Sequence, residues 1–276
     1  MRSLLIRMIL VCVLLFSGTD SFAATSEFIF KNHGQVVKKL SLKEITTLVP
    51  PEEKSIVDAL ALTTIIYKVV SLTALLEKVY GQQSKEAEGI LFTCSDGFQP
   101  FLPHETFSRV PAYLAFERVG QTDFSLVNKA EANKTIQLGP YYLVWEAGNQ
   151  SATEYWAYQI VGLDLINFAE RFPQTAPSAD SALSVKRGFI AFSKNCIACH
   201  TVNGEGGGKA PELNFPVNIT EYYNEGWLRK WIENPNAIRL NASMPPLGVA
   251  ANDREAVITD LIAYLKDMAK NKRVPK

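Results

Sequence analysis

The chain has no excess of either charge. Its 28 basic residues match its 28 acidic ones, so neither nucleic acid nor an anionic membrane surface is expected to attract it through a general field. A charged docking patch has to be local. Cysteine is scarce, at four. Cys12 lies in an N-terminal leader, and Cys94, Cys196 and Cys199 are too few for a disulfide framework. Histidine is limited to His33, His104 and His200, and methionine beyond residue 8 to Met244 and Met268. Few side chains can hold a soft metal, and most of them lie in the last third of the chain. At 276 residues the chain is long for one small domain and comfortable for two.

The leader is read from residues 1–23. Arg2 and Arg7 flank or enter an apolar run from Met8 to Phe16, and Ser21-Phe22-Ala23-Ala24 follows. A positive start, an apolar stretch and a small-x-small end mark a secretory signal peptide, cut after Ala23. The run is too short to cross a bilayer core comfortably, and no small residues precede Cys12 as lipidation would need. The expectation is a periplasmic protein with no stable membrane insertion after cleavage. Loss of Arg2, Arg7 and Asp20 leaves the charges nearly balanced.

Residues 196–200 read Cys-Ile-Ala-Cys-His, the C-x-x-C-H signature of haem c attachment. Two thiols on one turn of chain reach the two vinyl groups and form thioethers, and the adjacent imidazole is carried to the iron as an axial ligand. A redox dithiol would expect a βαβ context, and zinc a second ligand pair; beyond the leader only Cys94, His33 and His104 lie upstream. One covalent haem c is therefore expected on Cys196 and Cys199, with His200 on the iron.

The flanks agree. Val185, Phe189, Phe192 and Cys196 form one stripe of an amphipathic helix, with Asp180 or Ser181 available to cap it. Asn252 and Glu255 form a capping-box pattern ahead of a terminal helix whose apolar face is Val257, Leu261, Tyr264, Leu265 and Met268. Gly188 would let the two helices cross closely. Met268 belongs to that apolar face. Met244 lies in the loop Ser243-Met244-Pro245-Pro246, stiffened against helix formation, and is the candidate sixth ligand, a soft thioether that raises the reduction potential. Gly204–Gly208 is expected to be a flexible loop; no lysine-serine pattern follows it, so a nucleotide loop is excluded.

From about residue 183 to 276 the chain resembles a class I c-type cytochrome, through Gly188, Phe192, Cys196, Cys199, His200, Pro211, Leu213, Trp231, Met244 and the terminal Leu-Ile-Ala-Tyr-Leu. The resemblance implies an all-α fold. It also implies that the Pro211 carbonyl accepts a hydrogen bond from the His200 ring, which fixes the imidazole, and that Trp231 packs near the haem edge. An ordinary core tryptophan is the competing reading for Trp231.

Residues 24–172 differ in texture, and 173–182, rich in Pro, Ser and Ala, reads as a linker across which few packed contacts run. A hairpin is expected around Asn32-His33-Gly34. Further strands are expected at 64–70, 90–93, 112–116, 141–145 and 155–161, and short helices at 42–48 and 72–79. This is a mixed α+β domain. Its phrases Val-Ser-Leu-Thr-Ala-Leu-Leu, Ser-Asp-Gly-Phe-Gln-Pro-Phe-Leu-Pro and Gly-Pro-Tyr-Tyr-Leu-Val-Trp resemble the sulfite-oxidase-type molybdopterin-binding fold. In that family a cysteine well upstream of Ser-Asp-Gly holds molybdenum. Residues 25–93 have no cysteine, so the domain reads as a cofactor-free relative used for docking, with Cys94 a buried core residue. His33 and His104 read as solvated or capping side chains, and no residue is assigned catalysis.

The expected function is an exported mono-haem electron carrier that exchanges electrons with redox partner proteins. The alternatives are the haem subunit of a periplasmic oxidoreductase whose first domain binds substrate or a molybdenum cofactor, and a haem-based sensor opened by loss of Met244.

Overall fold

The computed structural model describes residues 27–129, 133–146 and 156–275; the leader and its cleavage site lie outside them. The N-terminal part is sheet-rich. It contains β1 (Phe28–Asn32), β2 (Gln35–Leu40), α1 (Leu42–Leu48), β3 (Glu52–Asp58), β4 (Thr63–Ser71), α2 (Leu72–Tyr80), α3 (Gln83–Glu86), β5 (Gly89–Cys94) and β6 (Phe101–Pro103). It continues with α4 (His104–Arg109), β7 (Ala112–Arg118), β8 (Ser125–Asn128), β9 (Lys134–Gln137), β10 (Tyr142–Trp145), β11 (Ile160–Ile166) and α5 (Phe168–Arg171). The C-terminal part is helical: α6 (Leu183–Asn195), the two-residue strands β12 (Thr201–Val202) and β13 (Glu205–Gly206), α7 (Ile219–Tyr222), α8 (Glu225–Glu233) and α9 (Ala251–Met268).

Two larger sheets and the two-stranded β8-β9 ribbon form the first part. One has the order β2-β1-β11-β5-β6, with β1 and β11 parallel, and the other has the order β10-β7-β4-β3. Local chemistry sets several boundaries. His33 and Gly34 adopt φ of 47° and 80° and close the β1–β2 hairpin, a left-handed pair suited to a two-residue turn. Ser41 and Glu44 form a reciprocal capping box at the start of α1. Ser71 accepts from the Ala74 amide to start α2. The strand expected at 155–161 is displaced: β11 runs from Ile160, and Tyr155 lies outside the described residues.

Strand β5 shows why the two parts are not merely tethered. Ile90, Phe92 and Cys94 enter the core between the sheets and α1 and α2, whereas Leu91 points the other way, into the helical region's core. Ile166 and Phe172 join that second core, and Phe101 and Phe168 pack against it. The five-stranded sheet is thus covered on both faces at its centre, so β5 is a continuous apolar run rather than an alternating one.

The segment 173–182 also differs from the expectation of a linker with few contacts. Thr175 is fully buried, and its carbonyl accepts from the Tyr264 hydroxyl at 2.7 Å. The Gln174 amide donates to Glu205 at 2.6 Å, and its carbonyl accepts from Asn203 at 3.0 Å. A fragment starting at residue 183 loses Leu91, Ile166 and Phe172 from its core. At roughly 1.5–3 kcal/mol for each fully buried apolar side chain, it is expected to unfold at a markedly lower urea concentration than the same region in the full chain. A fragment starting at residue 167, which regains Phe172 and Thr175, should recover part of the loss. Identical midpoints for all three would show that the shared core contributes nothing.

Among the described residues no helix is long and apolar enough to cross a membrane.

Candidate haem-attachment site

Helix α6 delivers the Cys-Ile-Ala-Cys-His segment. Its buried face is Val185, Gly188 and Phe192, which sits against α9. Gly188 is required there: a Cβ would lie 2.0 Å from the Asp260 carbonyl oxygen and 2.7 Å from Tyr264 Cβ. The outer rim of this crossing is tied by Arg187, whose guanidinium meets the Asp260 carboxylate at 2.6 and 2.9 Å. The expected caps are not used. The α6 N-cap is Ala182 without a side-chain bond, and Ser181 donates to Asp267 instead. The N-cap of α9 is Ala250, and Glu255 pairs with Arg229 at 2.8 Å.

Cys196 ends α6, its amide still donating to Phe192 O at 2.8 Å, and the chain then folds into one tight turn. The Cys199 and His200 amides both donate to Cys196 O, at 3.0 and 2.9 Å. Both thiols are free. Burial pushes the Cys196 thiol up to about 12; burial also raises Cys199, with Lys209 pulling the other way. A redox dithiol needs a depressed thiol pKa to act as a nucleophile, and burial works against that at both positions.

The His200 ring is oriented. Nδ1 lies 2.7 Å from the Pro211 carbonyl oxygen, an atom that only accepts, so Nδ1 carries the proton and Nε2 keeps its lone pair. Burial lowers the imidazole pKa, opposed by the Pro211 bond and Glu212, which favours the neutral ring that a metal ligand must be. The residues present therefore fit a haem c: two free thiols, and an imidazole whose remaining nitrogen is available.

The turn is braced from behind by glycines. Asn203 and Gly204, at φ of 55° and 81°, close the β12–β13 hairpin. Within the Gly204–Gly208 run, Glu205 and Gly206 form β13, and the Gly207 and Gly208 amides donate to Ile197 O and Gly97 O at 2.8 and 2.9 Å. A Cβ on Gly206 would meet His200 O at 2.2 Å, and one on Gly207 would meet Ala198 O at 2.0 Å. The Asn-Gly pair is a hairpin signal that sequence reading could have used.

Glu212 was missed. Its carboxylate accepts from the Asn203 and Gly204 amides at 2.9 Å, and from those of Asn214 and Phe215 at 2.8 and 3.1 Å. Burial opposes its ionisation, but the Thr201 hydroxyl and the Gly204, Asn214 and Phe215 amides outweigh it and hold the pKa below the usual range. One carboxylate thus knots the segment after His200 to the segment that carries the Pro211 carbonyl. A buried chain of amides extends the knot: Asn214 donates to Asn203 at 2.8 Å, Asn218 to Asn214 at 2.7 Å, and Asn218 also to Leu265 O at 2.9 Å. Nothing in the local sequence marks these partners, which meet only in the fold.

Met244 is half-buried in the irregular stretch before α9. Nearby Leu247 enters the helical core, and its amide donates to Ile232 O at 3.3 Å, joining this loop to α8. Trp231, also half-buried, lies on α8 beside the inward residues Leu228 and Ile232. Met268 is buried in the core, 1% exposed. Cys94 is 3% exposed and burial raises its thiol to about 12. His33 sits in the β1–β2 turn, 3.6 Å from Glu170, and His104 opens α4 with its ring on Phe107, 4.9 Å between centroids.

The cytochrome c family model matches residues 185–269. The match covers the attachment turn, both crossing helices and the Met244 loop, and does not extend into the sheet-rich part. A cytochrome c domain implies haem c and electron transfer. No curated protein matches the chain.

Proposed function

We propose that the chain is an exported, periplasmic mono-haem c-type cytochrome that passes single electrons between redox partner proteins. The observation that carries this reading is the attachment turn, where two free thiols and an imidazole with a fixed Nδ1 proton stand together. A haem bound there supplies a one-electron Fe(III)/Fe(II) couple. Cys196 and Cys199 hold it covalently, and His200 presents Nε2 to the iron. Pro211 fixes the plane of the His200 ring and strengthens it as a donor. Met244 would be the second residue to hold the iron, and Trp231 would pack near the edge of the group. The sheet-rich part, read as a cofactor-free relative of the sulfite-oxidase fold, docks a redox partner. The burial of Cys94 supports a packing role for that thiol.

Protein matured in a host able to attach haem c should hold one haem per chain through denaturing electrophoresis, counted by the pyridine haemochrome spectrum. Haem freely extracted into acid-acetone would overturn covalent attachment. For the sixth ligand, Met244→Ala should remove the weak near-infrared sulfur-to-iron band and lower the potential, while Met268→Leu should leave both. A band that survives Met244→Ala would reject that ligand.

A further inference from the structure

The turn after β5 in the sheet-rich part is seated on the attachment turn. The Gln99 amide donates to Ala198 O at 2.8 Å, and the Gly208 amide donates to Gly97 O at 2.9 Å. Gly97 has φ of +87°, and a Cβ there would lie 2.9 Å from both Gly208 C and Lys209 N. Contact and conformation therefore both require glycine at this point. Beside these bonds, Asp96 Oδ2 stands 2.8 Å from Lys209 Nζ, the two side chains 28% and 35% exposed. The same ammonium lies 5.3 Å from the Phe98 ring centroid and 5.7 Å from that of Tyr158, an arrangement that attracts a cation. Burial opposes the charge on Lys209, but Asp96 and Tyr158 more than restore it. Lys209 also adjoins Ala210, whose amide donates to Cys199 O at 2.9 Å, so the pair stands on the Cys199 side of the attachment turn.

We propose that the sheet-rich part forms one wall of the haem site, and that the Asp96–Lys209 pair held in this wall sets the haem potential from the Cys199 side. The proposal rests on the haem reading above. Reduction removes one positive charge from the iron, so a nearby cation favours the reduced state and a nearby anion the oxidised one. The pair is about two-thirds buried, so salt screens it less than it would screen surface charges. Asp96 and Lys209 act through space on the potential and through their contact on the seating of the turn; they are positioning residues and take no part in ligation.

The test is a redox titration of the full chain, followed by haem absorbance. Lys209→Met should lower the midpoint potential and Asp96→Asn should raise it, each by at least about a threefold change in the Fe(II)/Fe(III) ratio at fixed applied potential. A tenfold change is about 59 mV for one electron. The double variant should return close to the wild type, and Lys209→Arg should keep the wild-type value. The opposite signs should persist at about 0.5 M salt, where the screening length for exposed charges is only a few ångströms. A purely structural role would move both single variants the same way, and that result, or no shift in either, overturns the proposal. Wild-type protein without a haemochrome spectrum overturns the haem reading itself; haem present with same-sign or absent shifts overturns only the proposal.

Discussion

Cys196→Ala combined with Cys199→Ala is expected to abolish covalent haem retention completely. A thioether needs the sulfur atom, and no other side chain can replace it at these positions. Both thiols are free, and the Cys199 and His200 amides share Cys196 O as acceptor, which holds the pair on one turn. Each single variant should keep one attachment and lose haem more readily under denaturing conditions. Cys94→Ala is the control: this thiol is buried among Phe92, Leu102 and their neighbours, so it should leave haem content unchanged and cost little stability. Peroxidase staining after denaturing electrophoresis reads all four proteins. Staining that survives in the double variant, or vanishes in Cys94→Ala, would place the attachment elsewhere.

The second large effect is expected at Gly188. Valine there must place a Cβ where the backbone carbonyl of Asp260 stands, 2.0 Å from its oxygen and 2.6 Å from its carbon. A side chain could rotate away, but this is helix backbone, so α6 and α9 have to separate. Separation breaks the Arg187–Asp260 pair and loosens Phe192 and Tyr264, whose rings lie 5.2 Å apart. Overpacking a core usually costs ~1–3 kcal/mol; a clash against backbone at a helix crossing should exceed that range, a large share of the ~5–15 kcal/mol that stabilises a domain. Gly188→Val should therefore yield little folded, haem-bearing protein, and Gly188→Ala a visibly less stable one. Ile190→Ala, on the outward face of the same helix and 54% exposed in the wild type, should change stability little. Far-ultraviolet circular dichroism during thermal unfolding separates these outcomes; an unshifted transition in Gly188→Ala would show that the crossing tolerates the methyl group.

What the sequence makes legible is what local spacing encodes. The pentapeptide at 196–200 announces its chemistry because both sulfurs and the imidazole come from one turn. Helices α1, α2, α6 and α9 follow from apolar periodicity, and Gly188 from its place on the inward stripe. Strand β3 was missed because it is an edge strand whose first two residues, Glu52 and Glu53, face solvent, so it lacks the apolar alternation that marks a half-buried strand. The caps at Ala182 and Ala250 were misplaced because Asp180, Ser181, Asn252 and Glu255 have the right side chains, but tertiary partners claim Ser181 and Glu255. The segment 173–182 was read from composition as a tether, although backbone groups of Gln174 and Thr175 are bonded into the helical part. Glu212, Asp96 and Lys209 carry no local signal at all. Their roles come from pairing across loops or between the two parts of the chain.

The backbone bonds between Gly97 and Gly208, and between Gln99 and Ala198, also bear on the order of assembly. They join segments about a hundred residues apart, and such distant contacts close late because the intervening chain must be ordered first. Once closed, they pin Ala198, which lies between the two cysteines, while Cys196 packs partly buried against the helical core. The sheet-rich part, earlier in the sequence, can fold before it docks on this turn. Its docking then acts as a latch on the attachment turn, made of backbone bonds that no side-chain substitution removes directly.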